Sequence, residues 1–365
     1  MAKQQPLQLA SLVTVQDILA WYEANPWPLR PIDAIMPLEQ TNQDTWKTVS
    51  NYSTELNEAA DPISSKSKVP NAGRDGYKVI IGGMDEFGKG REMDADGIEK
   101  YDDLKQRFAT TKNPADALAL VDYYGGDLAF VRRAMQAQRV YLSYALLSAA
   151  CSYTLASTNS PYFQGLNAME YPVAAWQKTA VTTAWSNAAS LILTDIQTIK
   201  DLAEANGKVL TRIKINKTWF EHVRNNTQIQ KYSATIAQNL LDTQGRPSLQ
   251  GINAMLANEF QQDIAFEVID DRITRATTSD VKTTANPFAN GVAVFSFTTK
   301  VGRFVWKPLP IIEPTLEVYE SFFVVGNTKQ VNPSMSEIYA KGKGFPVIDS
   351  YADNVYLKID AVAWS

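Results

Sequence analysis

A long apolar stripe at helical spacing constrains the fold of this chain more than any other feature of its sequence. Residues 127–147 contain no glycine or proline, and apolar side chains recur there every three or four positions. Gly125-Gly126 precedes the stretch, and Asp127 is a residue type that caps helix N-termini. The pattern predicts one long helix that begins at Asp127. The residues of its apolar stripe are Leu128, Val131, Met135, Leu142 and Leu146.

Shorter helices and strands follow this helix in mixed order. We predict a second long helix over 182–205 and a strand over 209–215, where apolar and polar residues alternate. Asn216 then caps a short helix. This mixture is typical of an α+β fold. A further helix is predicted at 248–260 and further strands at 264–269, 292–297, 303–307 and 354–359.

The first hundred residues differ from the rest. Residues 1–50, which are interrupted by prolines, are interpreted as an N-terminal arm that crosses a surface. Residues 51–100 contain a polar, turn-rich stretch, a strand at 77–81 and a charged run after the glycine pair 82–83. We interpret the strand and the charged run as a two-stranded hairpin that pivots at its glycines. Because an isolated hairpin is marginally stable in water, it is expected to lie on a neighbouring chain.

Composition places the chain among folded globular proteins. It has 365 residues, of which 45% are hydrophobic and 20% charged. A net charge of −4 argues against a dedicated nucleic-acid-binding protein. The first residues lack the apolar segment of a secretory signal, and no apolar run reaches the length of a membrane span. We therefore expect synthesis in the cytoplasm.

The chain has few residues of the types that usually serve in catalysis or metal binding. The chain has one histidine, His222, and one cysteine, Cys151, which leaves few ligands for metal sites and few groups for nucleophilic catalysis. Cys151 lies among small residues and is interpreted as a buried small hydrophobe, and His222 as a surface or capping residue. Asp270-Asp271 and Asp94-Ala95-Asp96 are close carboxylate pairs, but pairing alone does not make an acid–base site. We predict no catalytic residues, no metal ligands and no cofactor.

Several segments resemble the major capsid protein E family of tailed bacteriophages, the lambda-type branch of the Hong Kong 97-type capsid fold. Residues 213–226 are similar to that family's strand–helix element, with an apolar strand, an asparagine turn and an aromatic helix. Residues 132–137 resemble its arginine-bearing spine helix, and 344–355 its closing segment around Pro346. The segments occur in the family's order. The stretch 303–308 departs from the family's glycine-rich strand pair.

The resemblance implies a division of the chain into five parts. Residues 1–50 would form the N-terminal arm, and 51–100 an extended loop over a neighbouring subunit. Residues 101–180 would form the peripheral domain with the spine helix, and 181–345 the axial domain. A final strand in 346–365 would return to the peripheral domain.

The resemblance also implies a structural protein rather than an enzyme. Its copies would assemble into pentamers and hexamers of an icosahedral phage head that encloses double-stranded DNA. The implied partners are other copies, a portal and a scaffold or decoration protein, with weak non-specific contact to DNA and none to a membrane. The implied location is the virion capsid, after assembly in the cytoplasm of the host bacterium.

Contacts between copies are expected from basic residues on the extended loop and the spine helix. Complementary charge on a neighbouring subunit would set the register of the contact. The candidate residues are Lys66, Lys68, Arg74, Lys78, Arg91, Arg132 and Arg133.

Three other functions stay open at this point. An encapsulin-like nanocompartment would share the fold and enclose an enzyme instead of DNA. A carboxylate-dependent hydrolase would need a deep pocket with converging Asp and Glu residues of raised pKa. A tail or baseplate component would form tubes or rings instead of closed shells.

Overall fold

A computed structural model describes Glu23 and residues 30–51, 77–111, 113–156, 166–237, 246–261, 263–276, 282–311, 317–330 and 335–364. The helices are α1 Pro31–Ile35, α2 Ala95–Thr111, α3 Pro114–Ser148, α4 Ile192–Ala205, α5 Lys217–Asn225, α6 Thr227–Ala237 and α7 Leu249–Phe260. The strands are β1 Leu38–Gln40, β2 Thr45–Asn51, β3 Tyr77–Gly83, β4 Asp85–Met93, β5 Ser152–Ala156, β6 Leu166–Glu170, β7 Lys178–Ala180, β8 Arg212–Asn216, β9 Ala265–Ile269, β10 Ile273–Ala276, β11 Lys282–Ala285, β12 Val292–Ser296, β13 Gly302–Trp306, β14 Glu317–Glu320, β15 Phe323–Gln330, β16 Met335–Ile348 and β17 Val355–Lys358.

The largest sheet has six strands and is organised around the long strand β16. β1 pairs in parallel with β13, and β13, β15 and β4 each pair with β16 in antiparallel register, with β14 at one edge. Helix α3 covers one face, where Met135 packs so close to Gly342 that a Cβ there would lie 2.9 Å from the Met135 Cε. Leu128, Val131 and Met135 of α3 form one buried cluster with apolar residues of this sheet, and α3 from Val140 onward belongs to a second cluster.

Helix α3 confirms the predicted long helix but begins earlier than Asp127. It starts at Pro114, where the Asn113 side chain accepts a hydrogen bond from the Ala115 backbone at 3.0 Å. The helix continues through Gly125 and Gly126, although each glycine costs about 1 kcal/mol relative to alanine in a helix interior. Tertiary packing of the apolar face outweighs this cost, which a local pattern does not reveal.

The second large sheet has five strands in the order β7-β17-β12-β8-β9. β8 pairs in parallel with β9 and in antiparallel register with β12. Helix α4 packs on it but begins at Ile192, not at the predicted residue 182. The predicted cap of α5 is confirmed, because the Asn216 side chain accepts from the Thr218 backbone at 2.9 Å. Ser248 caps α7 in the same way, accepting from the Gly251 backbone at 3.1 Å.

The two sheets divide the chain differently from the linear division expected from sequence. Strands β13 to β15 and most of β16 lie in the segment 181–345 that was expected to be axial, yet they belong to the sheet that carries α3. The final strand β17 lies inside the five-stranded sheet, between β7 and β12. Non-local strand pairing decides these memberships, so the order along the chain is a poor guide to them.

Residues 30–51 are part of the body, which corrects the interpretation of the whole 1–50 segment as an arm. Ile32 and Met36 in and after α1 are fully buried, and β1 continues the six-stranded sheet. Burial of these apolar side chains stabilises the attachment. The preceding part of the predicted arm, apart from Glu23, lies outside the described residues.

The predicted hairpin between 77–81 and the charged run is wrong, although both strands exist. β3 pairs with β2, and β4 pairs with β16. Gly90, which was expected to let the hairpin pivot, is instead a close-packing position, because a Cβ there would overlap the Glu337 carboxylate. Gly82 is packed in the same way against Trp46 and Met169. The charged residues of β4 therefore belong to the large sheet and not to a mobile ribbon.

Candidate assembly surfaces

The ribbon formed by β2 and β3 has one face packed on the body. Trp46 is buried, and its ring stacks on the rings of Tyr171 and Phe345 with centroid distances of 5.9 and 5.7 Å. The Trp46 Nε1 donates to the Gly83 carbonyl at 2.9 Å. Thr48, two residues along and therefore on the same face, donates from Oγ1 to an Asp349 carboxylate oxygen at 2.9 Å. The inner face of the ribbon is thus fixed by stacking and hydrogen bonds.

The base of the ribbon carries a small network of ion pairs. Asp44, just before β2, pairs with Lys307 at 2.9 Å and with Lys343 at 3.0 Å. Lys343 also pairs with Glu86 at 3.3 Å. Hydrogen bonds from Lys307 and Lys343 hold the pKa of Asp44 below its usual value. Because Asp44 is exposed, this network is sensitive to salt and contributes little to stability.

The opposite face of the ribbon is apolar and exposed. Val49 and Val79 are directly opposed in the strand register, and Ile81 is the diagonal neighbour of Val49. Their exposed fractions are 51%, 52% and 64%. Clustered aliphatic side chains of this kind are a feature of surfaces that bind another protein. We call Val49, Val79 and Ile81 the outer face of the ribbon, and it is the strongest candidate for contact with another chain.

Sequence reasoning did not identify the outer face. The run of three consecutive apolar residues Val79, Ile80 and Ile81 within the predicted strand was the available signal, because successive residues of a strand face opposite sides. The partner strand β2 was not predicted, however, so the pairing that brings Val49 beside Val79 was not visible. A two-stranded ribbon acquires an outer face only through that pairing.

Two of the predicted contact residues form ion pairs within the chain. Arg132 on α3 is buried and pairs with Glu320 at 2.9 Å within the chain, and its predicted contact with another copy stays a prediction. Arg91 on β4 pairs with Asp127 at 3.0 Å, and its guanidinium lies 5.5 Å from the centre of the Phe130 ring. Arg91 keeps about half of its side chain exposed. It therefore remains accessible to a neighbouring chain.

The other predicted contact residues are less informative. Lys78 lies in β3 opposite Ser50. Arg133 is exposed on α3, and its Nε donates to the Ala129 carbonyl one turn earlier at 3.1 Å. The remaining three lie outside the described residues: Lys66, Lys68 and Arg74.

The carboxylate pairs considered as acid–base candidates have local structural roles. Asp94 accepts a hydrogen bond from the Gly97 backbone at 2.9 Å in the first turn of α2. Asp270 forms an ion pair with Lys217. Across the described part of the chain, no group of three or more His, Cys, Asp or Glu residues is arranged to hold a metal ion. Among the same residues, no helix combines the length and the apolar character needed to cross a membrane.

The single cysteine and the single histidine are held by aromatic neighbours. Cys151 is fully buried, its Sγ lies 2.6 Å from the Tyr356 hydroxyl, and burial raises the pKa of its thiol to about 12. Its interpretation as a buried small residue is confirmed. His222 is half-buried in the last turn of α5, with its ring 5.3 Å from the Trp219 ring in an edge-on arrangement.

One interior ion pair, Arg132 with Glu320, joins α3 to the six-stranded sheet, and another lies within the five-stranded sheet. Burial raises the pKa of Glu320 to about 7, against the opposing effect of Arg132. In the five-stranded sheet, Lys214 is fully buried, donates to the Ser296 hydroxyl at 2.7 Å and pairs with Glu267 at 3.2 Å. Burial lowers the pKa of Lys214, and Glu267 opposes this effect. Each cation has a carboxylate partner inside the fold, which is typical of structural ion pairs.

Comparison with known proteins gives likeness in structure only. No protein-family profile and no curated protein sequence matches the chain. A candidate prophage capsid protein from Escherichia coli CFT073 superposes with a TM-score of 0.56 at 11% identity, covering 95% of this chain and 99% of that chain. A phage-related protein from Bordetella bronchiseptica gives 0.52 at 12% identity, over 96% and 99% of the two chains.

A third structure extends the likeness to an assembled capsid. The capsid asymmetric unit of cyanophage A-1(L) superposes with a TM-score of 0.50 at 9% identity, covering 99% of this chain and 98% of that chain. The three superpositions cover nearly the whole of each chain, so they concern the complete arrangement of both sheets. The α+β fold expected from the family resemblance is thereby confirmed: the chain has the fold of phage capsid proteins.

Proposed function

We propose that the chain is the major capsid subunit of a tailed bacteriophage, a structural protein that assembles into the pentamers and hexamers of an icosahedral head around packaged double-stranded DNA. The observation that carries this proposal is the outer face of the ribbon. Val49, Val79 and Ile81 stay exposed while the other face of the same ribbon is fixed on the body. A chain with this fold and an exposed apolar face on its ribbon is suited to association with copies of itself.

The expected energetics favour reversible assembly. Covering three half-exposed aliphatic side chains contributes about 3 kcal/mol per copy, at roughly half of the full burial value for each. A single contact of this size dissociates readily, so misplaced subunits can leave. Many such contacts in a closed shell together stabilise it, because each further contact forms within an assembly that is already held.

The proposal assigns parts to the regions of the chain. The ribbon and residues 52–76, which β2 and β3 flank, would be the extended loop over a neighbouring subunit. The six-stranded sheet with α3 would form the peripheral domain, and the five-stranded sheet the axial domain. Residues before Arg30 would be the N-terminal arm. The protein would reside in the virion, together with a portal and a scaffold or decoration protein, with only weak non-specific contact to DNA and with no enzymatic role.

Electron microscopy of the protein, expressed with and without its phage's other head proteins, tests this proposal. We expect closed icosahedral particles, and DNA in particles recovered from infected cells. A species that stays monomeric at high concentration under all scaffold and salt conditions would overturn it. Particles filled with an enzyme cargo would indicate a nanocompartment, and open tubes would indicate a tail component.

A further inference from the structure

Strand β9 lies at one edge of the five-stranded sheet. Among the described strands of that sheet it pairs only with β8, in parallel. On that side the Ala265 N–H donates to the Thr211 carbonyl at 2.9 Å. Because the backbone groups of successive residues in a strand point to alternate sides, Phe266 and Val268 direct their N–H and C=O groups away from β8. These groups form the edge at which a further strand would be added.

The sequence of this edge favours pairing with another strand. Residues 264–269 read Ile-Ala-Phe-Glu-Val-Ile and contain no glycine or proline. Glu267 is their one charged residue, and its carboxylate lies 3.2 Å from the Nζ of the buried Lys214, inside the chain. Short segments with high β-propensity, low net charge and no proline associate readily through open strand edges. The residues of β9 therefore do not protect the edge by themselves.

The side chain of Asn253 occupies the outward hydrogen-bonding positions of Phe266. The Phe266 N–H donates to the Asn253 Oδ1 at 2.8 Å, and the Asn253 Nδ2 donates to the Phe266 carbonyl at 3.2 Å. In an antiparallel pair of strands, two opposed residues exchange the same two bonds. A side-chain amide can replace a strand residue in this way because it carries one acceptor and one donor group, as a peptide unit does.

The packing of helix α7 holds the Asn253 amide at the edge. Ile252 and Leu256 on the same helix are fully buried, in the apolar cluster that also contains Phe266. The Phe266 ring lies 5.6 Å from the Phe220 ring in an edge-on arrangement. Withdrawal of Asn253 from the strand would require exposure of these apolar side chains, which is unfavourable. The bonds to Phe266 are therefore a fixed part of the folded chain.

We propose that Asn253 closes a strand-docking edge, and that its amide prevents β9 from pairing with β9 of a second copy of the chain. Two copies related by a two-fold axis present the same edge to each other, so an open β9 edge pairs with itself in antiparallel register. This closure is independent of the proposed function, because it acts on the dissociated subunit. It directs association away from the sheet edge and leaves it to other surfaces.

Sedimentation velocity of the dissociated subunit tests the closure. Asn253→Ala removes both bonds to Phe266, so we expect dimers with a dissociation constant about tenfold or more below that of the unaltered subunit. Asn258→Ala is the matched control, because Asn258 is exposed on the same helix; it should not change the association. Asn253→Asp keeps an acceptor for the Phe266 N–H and adds a charge at the edge, so it should not form the dimer either.

Hydrogen exchange of the Phe266 amide distinguishes an opened edge from a loosened fold. In dilute Asn253→Ala its exchange should be about tenfold faster than in the unaltered subunit, as expected for the loss of one hydrogen bond. A higher protein concentration should slow it again as β9 edges pair. The Ala265 amide, which faces β8, should exchange at the same rate in both proteins.

Three results would overturn the proposal. They are a folded Asn253→Ala that associates no more than Asn258→Ala, a Phe266 exchange rate that does not depend on protein concentration, and dimers that Asn253→Asp forms equally well. If Asn253→Ala does not fold, Asn253→Ser takes its place, because a hydroxyl satisfies only one of the two Phe266 groups. A folded Asn253→Ser that associates no more than the unaltered subunit would likewise overturn it.

Discussion

The Arg139 guanidinium donates to the Asp33 carboxylate at 2.6 Å and to the Met36 carbonyl at 2.7 Å, deep inside the protein. Arg139 is fully buried and lies on the long helix, whereas Asp33 lies in the short helix α1. This pair joins residues 30–40 to the body and explains why that segment is not a loose arm. Burial lowers the pKa of Arg139, and Asp33 opposes this effect.

Removal of the carboxylate should be strongly destabilising. Asp33→Ala leaves a buried guanidinium without its counter-charge, so we expect a loss of about 3–5 kcal/mol in the free energy of unfolding. Urea denaturation of the dissociated subunit measures it. Arg133→Ala is a suitable control, since Arg133 is an exposed arginine of the same helix and should change stability by about 0.5 kcal/mol or less. Equal effects of the two substitutions would contradict this account.

The glycine pair at the base of the ribbon provides a matched comparison. A Cβ at Gly82 would lie 2.5 Å from the Trp46 ring and closer still to Met169, whereas a Cβ at Gly83 would meet nothing within 4 Å. Gly82→Ala should therefore cost about 1–3 kcal/mol through displacement of Trp46, and Gly83→Ala should be near neutral. Tryptophan fluorescence during thermal unfolding reports both. If Gly82→Ala changed neither the stability nor the tryptophan fluorescence, the inner face of the ribbon would not be fixed in solution.

The buried pair of Glu320 and Arg132 predicts a pH dependence of stability. The pKa of Glu320 is about 7 in the fold, above its usual value of 4.5 because of burial. The folded chain therefore holds more protons between these values, and the stabilising contribution of this group is complete below about pH 4.5 and is lost as the pH rises through 7. Relative to Glu320→Gln, the unaltered subunit should lose about 2 kcal/mol between pH 4.5 and 8. Parallel pH curves for the two proteins would contradict the prediction.

The outer face of the ribbon predicts an assembly defect without a folding defect. Ile81→Lys adds a charge to a surface that we expect to be covered in the shell, so the yield of particles should fall about tenfold or more. The stability of the dissociated subunit should change by about 0.5 kcal/mol or less, because Ile81 is exposed there. Sedimentation and electron microscopy measure the first effect, and urea denaturation measures the second.

Val362→Lys is the matched control for the ribbon. Val362 is exposed to a similar extent, 56%, near the end of the described chain. It should leave particle yield unchanged. A similar defect in both variants would indicate a general effect of added charge and not a contact made by the ribbon.

The sequence by itself determined the elements with strong local signals. The apolar stripe from Leu128 to Leu146 specifies the long helix, and Asn216 and the residues around Pro247 mark the starts of α5 and α7. These signals are local because helix periodicity and capping involve residues within a few positions of each other. The resemblance to capsid proteins, taken from short segments in order, predicted the fold that the superpositions confirm.

Only the tertiary structure decided which strands pair and which charges are used inside the chain. β3 at 77–83 pairs with β2 at 45–51, and β4 pairs with β16, which lies more than 240 residues later along the chain. The sequence does not distinguish Arg132, Arg133 and Arg139, which all lie on the same helix. In the structure Arg132 and Arg139 are buried against carboxylates, whereas Arg133 is exposed to solvent. Strand pairing and burial of charge depend on contacts between residues that are distant in sequence. A local sequence pattern does not predict such contacts.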